Sequence, residues 1–168
     1  MPRFDVTTIG EGQLRYSVPA GVRLAKATQL DVNVTGTELN VVCLLSRLGW
    51  NAGWVSALPE SPLGQRVMMA LQLAGVDGTA VSHIPNHRLA TYYVEFAHPP
   101  RSSQVYFDRA NTAFTNLTVD DIDWDYLLDT RLLHISGLTI PLSDSIQAIL
   151  LEALARAKAK SISVSFDM

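Results

Sequence analysis

One cysteine, Cys43, is all the sequence offers, so no internal disulfide can form and a reducing compartment fits the chain. No apolar run is long enough to cross a bilayer. The opening Met1-Pro-Arg-Phe-Asp5 has no cationic segment leading into an apolar core, so no signal peptide is expected and the cytoplasm is the expected location. The Asn33-Val-Thr and Asn116-Leu-Thr sequons then carry little meaning. Charge of one sign is also missing: 13 basic against 16 acidic residues give a net charge of −3 with no basic stripe, which speaks against a nucleic-acid partner. There is no internal repeat, linker or low-complexity run. What remains is 48% hydrophobic and 17% charged, a globular composition. A chain of 168 residues can fold around one core and bury roughly two-thirds of its unfolded surface.

Segments of strand and helix character alternate along the chain. Asp5 to Gly10 is a β-type run ending in Gly10-Glu11-Gly12, which puts Glu11 at a strand's carboxyl edge, where open α/β sheets bind ligands. A lone carboxylate there also reads as simply solvated. A dinucleotide fingerprint would need a further glycine and an immediate helix. Instead Gln13 to Ser17 alternates polar and apolar residues, as a strand does.

Leu14 to Val18 and Leu30 to Val34 predict two strands of a small separate sheet. Ala52 to Leu58 predicts a buried strand, and Gln65 to Leu73 a helix stopped by Gly75. Ala90 to Phe96 and Gln104 to Arg109, split by Pro99-Pro100, predict an antiparallel pair. Thr118-Val-Asp-Asp121 resembles a capping box opening a short helix through Ile122, Trp124, Leu127 and Leu128. The clustered aspartates read better as helix-start carboxylates than as a metal site. Leu132 to Ser136 predicts a core strand, Ser143 a cap for a long helix ending near Lys160, and Ile162 to Asp167 a last strand. Strand and helix at these intervals imply parallel βαβ units.

Gly36 to Gly49 is the best-defined stretch. A glycine turn leads into a helix for which Thr37 can cap, with Val41, Leu44, Leu45 and Leu48 at helical spacing and Cys43 read as a buried core thiol. Gly36 lets a ligand approach the backbone, and the Asn40 amide can both donate to and accept from a sugar hydroxyl, although Asn40 also reads as a cap accessory. His83 and His87 are four apart, but Pro85 between them breaks any helix that would align them on a metal, so both read as loop residues. His134 reads as a hydrogen-bonded core histidine, and His98 carries no signal.

Gly36, Asn40 and Arg47-Leu48-Gly49 together resemble the first signature of the phosphofructokinase-B, or ribokinase-like, carbohydrate kinases. Leu63-Gly64 and Gly75-Val76-Asp77 extend the likeness through the second helix. Thr35 stands where that family has its first glycine, and Val42 replaces a small residue. Within the family, Ile9-Gly10-Glu11, Tyr92-Tyr93 and Phe107-Asp108-Arg109 followed by Ala110-Asn111 are most similar to 2-keto-3-deoxygluconate kinases, with Phe107 in place of a frequent tyrosine.

The resemblance implies an α/β fold of mostly parallel sheet flanked by helices, with a small β lid from segments near 14–35 and 90–109. It implies sugar-acid contacts from Gly36, Thr37, Asn40, Tyr92, Phe107 and Arg109, with Glu11 beside them. A guanidinium matches a carboxylate with two charge-assisted hydrogen bonds, which suits Arg109 to an acidic sugar. On the residues alone Arg109 also reads as a solvated partner of Asp108, and Tyr92 as a plain strand aromatic. The family's Gly-Ala-Gly-Asp segment, which serves phosphoryl transfer from magnesium-bound ATP, does not occur here. The expectation is therefore the N-terminal half of an enzyme about twice this length, with no catalytic base, ATP or Mg2+ held by these residues. Lid strands that pair into a homodimer are expected, and a non-catalytic sugar-binding or dimerisation module is the other reading.

Overall fold

The computed structural model describes residues Met1–Met168. Strands β1 (Phe4–Ile9), β2 (Gln13–Val18) and β3 (Asp31–Thr35) precede helix α1 (Thr37–Arg47). Then follow β4 (Ala52–Pro59), α2 (Pro62–Ala74), β5 (Val81–Ile84), β6 (Ala90–Glu95) and β7 (Gln104–Asp108). A short α3 (Trp124–Leu127), β8 (Thr130–Ser136), α4 (Asp144–Ala159) and β9 (Ser163–Asp167) complete the order.

Five strands form a wholly parallel sheet in the order β5-β4-β1-β8-β9. All eight residues of β4 are buried, as expected of a strand covered on both faces. Trp54 and Leu58 point to one face, where they pack with Leu39 and Val42 of α1 and Val67 and Leu71 of α2. Val55 and Ala57 point to the other, against Phe114, Leu117 and the α4 residues Ile146, Ile149 and Ala153. The four strands β3-β2-β6-β7 form a second, mixed sheet. The α/β layer and the small second sheet agree with the expected fold class.

Helix ends follow local chemistry, with some departures from the sequence reading. Ser61 caps α2 by accepting from Gly64 N–H at 3.3 Å, and Pro62 and Leu63 already belong to the helix, which starts earlier than expected because proline suits a first helical position. Gly75 closes α2 in the left-handed conformation at φ 79°. Ser143 caps α4, accepting from Ile146 N–H at 3.2 Å and donating to the Thr115 carbonyl at 2.9 Å.

Thr37 does not cap α1: Gly36 occupies that position without a side-chain cap, and Thr37 is the first helical residue. The buried face of α1 is Glu38, Leu39 and Val42, whereas Leu44 and Leu48 are 60% and 66% exposed. Cys43 is only half-buried, so it is no core thiol, though burial still pushes its pKa up and keeps it protonated. Thr118 and Asp121 do make the capping interaction, but it closes a single 3-10 turn; the α-helix waits for its own cap, Asp123, and runs only from Trp124 to Leu127. His83 lies in β5 instead of a loop, because four residues pair with β4. His134 is 7% exposed and its Nδ1 lies 3.1 Å from Ser165 Oγ, as a bonded core histidine should. No helix is long and apolar enough to cross a membrane.

Candidate functional site

The register of the small sheet brings four chain segments to one place. Gln13, the first residue of β2, pairs with Thr35, the last of β3, and with Ala90, the first of β6. Thr91 pairs with Asp108, the last residue of β7. The residues just outside these ends, Glu11, Gly36 and Arg109, therefore converge, and Glu11 also follows directly from the carboxyl end of β1. That convergence needs Gly36: it sits at φ 156°, and a Cβ there would lie 2.5 Å from the Glu11 carbonyl oxygen.

Glu11 is the hub. Its side chain is 2% exposed, and Oε2 accepts from Arg109 Nε at 2.8 Å and from Gln13 Nε2 at 3.2 Å, while Oε1 accepts from Thr112 Oγ1 at 2.7 Å. Burial pushes the Glu11 carboxyl above its usual range, and the three donors, Thr112 and Arg109 foremost, oppose this without reversing it. The site holds a carboxylate at real desolvation cost, and only the donors around it make that tolerable.

Arg109 engages Glu11 through Nε alone, so the terminal nitrogens of its fork keep their donors. Its guanidinium carbon lies 5.7 Å from the Phe107 ring centroid, and that ring lies 5.4 Å from Tyr92. Asp108, an obvious partner by sequence, is taken by Arg88, whose guanidinium also donates to the Ala110 carbonyl at 3.2 Å. Arg109 is thus set beside the glycine turn and not left in solvent with Asp108.

Five of the seven expected residues form this linked set: Gly36, Glu11, Arg109, Phe107 and Tyr92. Thr37 and Asn40 adjoin it along the chain, with Asn40 N–H donating to the Gly36 carbonyl at 2.8 Å, but the exposed Asn40 side chain borders a different hollow. That hollow, about 250 Å³, is lined by Val34, Leu39, Cys43, Leu44, Arg47 and Ala70 as well. The larger concavities, about 620 and 600 Å³, are lined instead by residues such as Tyr16, Tyr93 and Tyr106 or Arg23, Glu95 and Arg101. The linked set, buried at Glu11 and open at Phe107, lines none of these three cavities.

Two further groups escaped the sequence reading. Gln13 and Thr112 hold Glu11, and the polar alternation of β2 was a signal for Gln13. Glu38 is 1% exposed between Gly10 and Thr139; Oε1 accepts from Thr139 Oγ1 at 2.5 Å while Oε2 has no partner. A Cβ at Gly10 would strike that carboxyl, so Gly10 is what makes room for it.

A parallel sheet with flanking helices, joined through the end of β1 to a small mixed sheet, is the ribokinase-like class of α/β fold. A crystal structure of 2-dehydro-3-deoxygluconokinase from Thermotoga maritima superimposes with a TM-score of 0.91 at 35% identity, over 97% of this chain and 50% of that one. The chain belongs to the pfkB family of carbohydrate kinases, whose model matches residues 6–168. It is 35% identical over 164 residues to the 2-dehydro-3-deoxygalactonokinase of Haloferax volcanii, covering 98% of this chain and 51% of the relative. It is 28% identical over 169 residues to the 5-dehydro-2-deoxygluconokinase of Clostridium perfringens, covering 99% and 49%. The chain spans about half the length of the curated relatives it matches.

Proposed function

We propose that this chain is the substrate-binding part of a cytoplasmic, ATP-dependent kinase that phosphorylates a sugar acid such as 2-keto-3-deoxygluconate. The observation that carries the reading is Arg109, fixed by Glu11 at the convergence of strand ends with the rest of its fork unspent. A carboxylate is the ligand such a fork suits, and the relatives' names all denote kinases of keto-deoxy sugar acids. Gly36, Thr37 and Asn40 would offer backbone and amide groups to hydroxyls, and Tyr92 and Phe107 an aromatic wall for the carbon chain.

Residues 1–168 act in this reading as one ribokinase-like α/β unit, with segments near 14–35 and 90–109 as its lid. ATP and Mg2+, expected of such a kinase, do not fit the residues present. Gly36, the glycine at the strand ends where the site forms, is already packed against the Glu11 carbonyl and offers no open cradle for a phosphate. No group of three or more His, Cys, Asp or Glu side chains stands ready for an ion. The transfer step would fall to residues outside this chain.

Calorimetry tests the reading. The chain should bind 2-keto-3-deoxygluconate without binding ATP with Mg2+, and an Arg109→Ala variant should weaken the sugar acid about tenfold or more, the value of a charge-assisted hydrogen bond. Binding of neither compound would favour the second reading, a dimerisation module, which the full exposure of edge strand β7 supports.

A further inference from the structure

Arg15 differs from every other arginine in the chain. Arg3, Arg88, Arg109, Arg131 and Arg156 each form a salt bridge, and Arg66 donates to the Val32 carbonyl. Arg23, Arg47 and Arg101 are exposed and solvated. Arg15 is half-buried in β2, and its Nε is buried with no hydrogen-bond partner. A guanidinium N–H withdrawn from water and left unpaired is costly, so this one calls for a reason.

The strand register says which way this donor faces. Arg15 pairs with Asn33 on β3 and with Tyr92 on β6, and Tyr92 pairs with Phe107 on β7. Residues directly opposite in a sheet share a face, as do residues two apart in one strand. Arg15 therefore shares a face with Gln13, whose amide holds Glu11, and with the Tyr92–Phe107 pair on which Arg109 rests. The other face carries Tyr16 and Tyr93, stacked at 5.3 Å beside an apolar hollow.

We infer that Arg15 is a substrate-binding residue that sets the preference for an anionic over a neutral sugar. The inference rests on the sugar-acid reading above. Arg109 reaches its place already paired with Glu11, so much of its charge is offset before any ligand arrives. Arg15 has no acidic partner, and it supplies the positive charge that a sugar carboxylate lacks at Arg109. A carboxylate lying over the Tyr92–Phe107 face can take one hydrogen bond from each arginine. The two cations then divide the work: Arg109 positions, and Arg15 discriminates by charge.

Calorimetry with two probes tests this on the chain itself: 2-keto-3-deoxygluconate, and 3-deoxyfructose, in which a hydroxymethyl group replaces the carboxylate. The unsubstituted chain should bind the acid more tightly. Arg15→Gln should cut affinity for the acid about ten- to a hundredfold with little change for 3-deoxyfructose, and Arg15→Lys should restore part of the loss. Asn33→Asp, at an exposed position opposite Arg15, should lower the acid preference in the same way and guards against a misfolded Arg15 variant. If Arg15→Gln and Asn33→Asp keep the full acid preference, or weaken both probes equally, the inference is overturned while the sugar-acid reading stands. If the unsubstituted chain shows no preference for the acid, both fall.

Discussion

Arg109 Nε and Glu11 Oε2 lie 2.8 Å apart across 98 positions of sequence, one just after β7 and the other just before β2. This contact ties the last strand of the small sheet to the carboxyl end of the main one. It also makes the protonation of Glu11 a property of the whole site.

The pH dependence of stability follows from that burial. Because the folded Glu11 carboxyl titrates above its ordinary 4.5, its contribution to stability is complete below 4.5 and is lost as pH rises through the raised folded value. From neutral pH toward 4.5, this group should therefore raise the melting temperature, and Glu11→Gln should remove that part of the rise. Asp77 works oppositely. Its burial is outweighed by hydrogen bonds from Thr79 and Tyr126 and by Arg3, which hold it below its ordinary 3.8, so its contribution is lost as pH falls below that value. Thermal melts of the chain and Glu11→Gln from neutral pH to 4.5 check this; parallel curves would contradict it.

Gly36→Ala should be far worse than alanine at another positive-φ glycine. At Gly36 the new Cβ meets the Glu11 carbonyl oxygen at 2.5 Å, whereas at Gly21, φ 87°, nothing lies within 4 Å. Strain plus the clash should cost about 3 kcal/mol at Gly36 against about 1 kcal/mol at Gly21. Urea denaturation of both variants gives the difference directly, and equal costs would mean that the close approach to Glu11 is dispensable.

Ser143→Ala should destabilise the chain by about 1 kcal/mol, the usual value of a helix cap. The side chain both accepts from Ile146 N–H and donates to the Thr115 carbonyl, so a loss below a few tenths would show that α4 is held by its packing alone.

Strand β7 is exposed throughout and forms the edge of its sheet, with Val105, Tyr106 and Phe107 at 46%, 54% and 63% exposure. An unprotected apolar edge invites a second copy. Sedimentation equilibrium should find a dimer at micromolar concentration and a monomer for Val105→Lys. A monomeric parent chain, or a variant that still dimerises, would remove the lid-pairing proposal.

Much of this arrangement was legible in local pattern. Gly36 and Gly49 bracket α1, the unbroken apolar run of β4 reads as a doubly covered strand, and the alternation in β2 reads as a one-sided one. Periodicity misjudged the buried face of α1, because counting apolar residues favoured Leu44 and Leu48 and passed over Glu38. That carboxyl is buried only because Gly10 leaves space and Thr139 donates, two facts set by tertiary contacts. β5 was missed since its four residues, His83 among them, have strand character only when paired with β4. Arg109 and Glu11 were each visible as candidates, but their partnership was not: neighbouring Asp108 was the nearer acid, and only the sheet register gives it to Arg88.

The most direct test follows the Arg109 Nε–H signal by nitrogen-15 NMR, assigned through an Arg109→Lys variant. Titration with 2-keto-3-deoxygluconate should move that resonance saturably, and 3-deoxyfructose should move it far less. A signal that stays fixed while the sugar acid binds elsewhere on the chain would contradict the account.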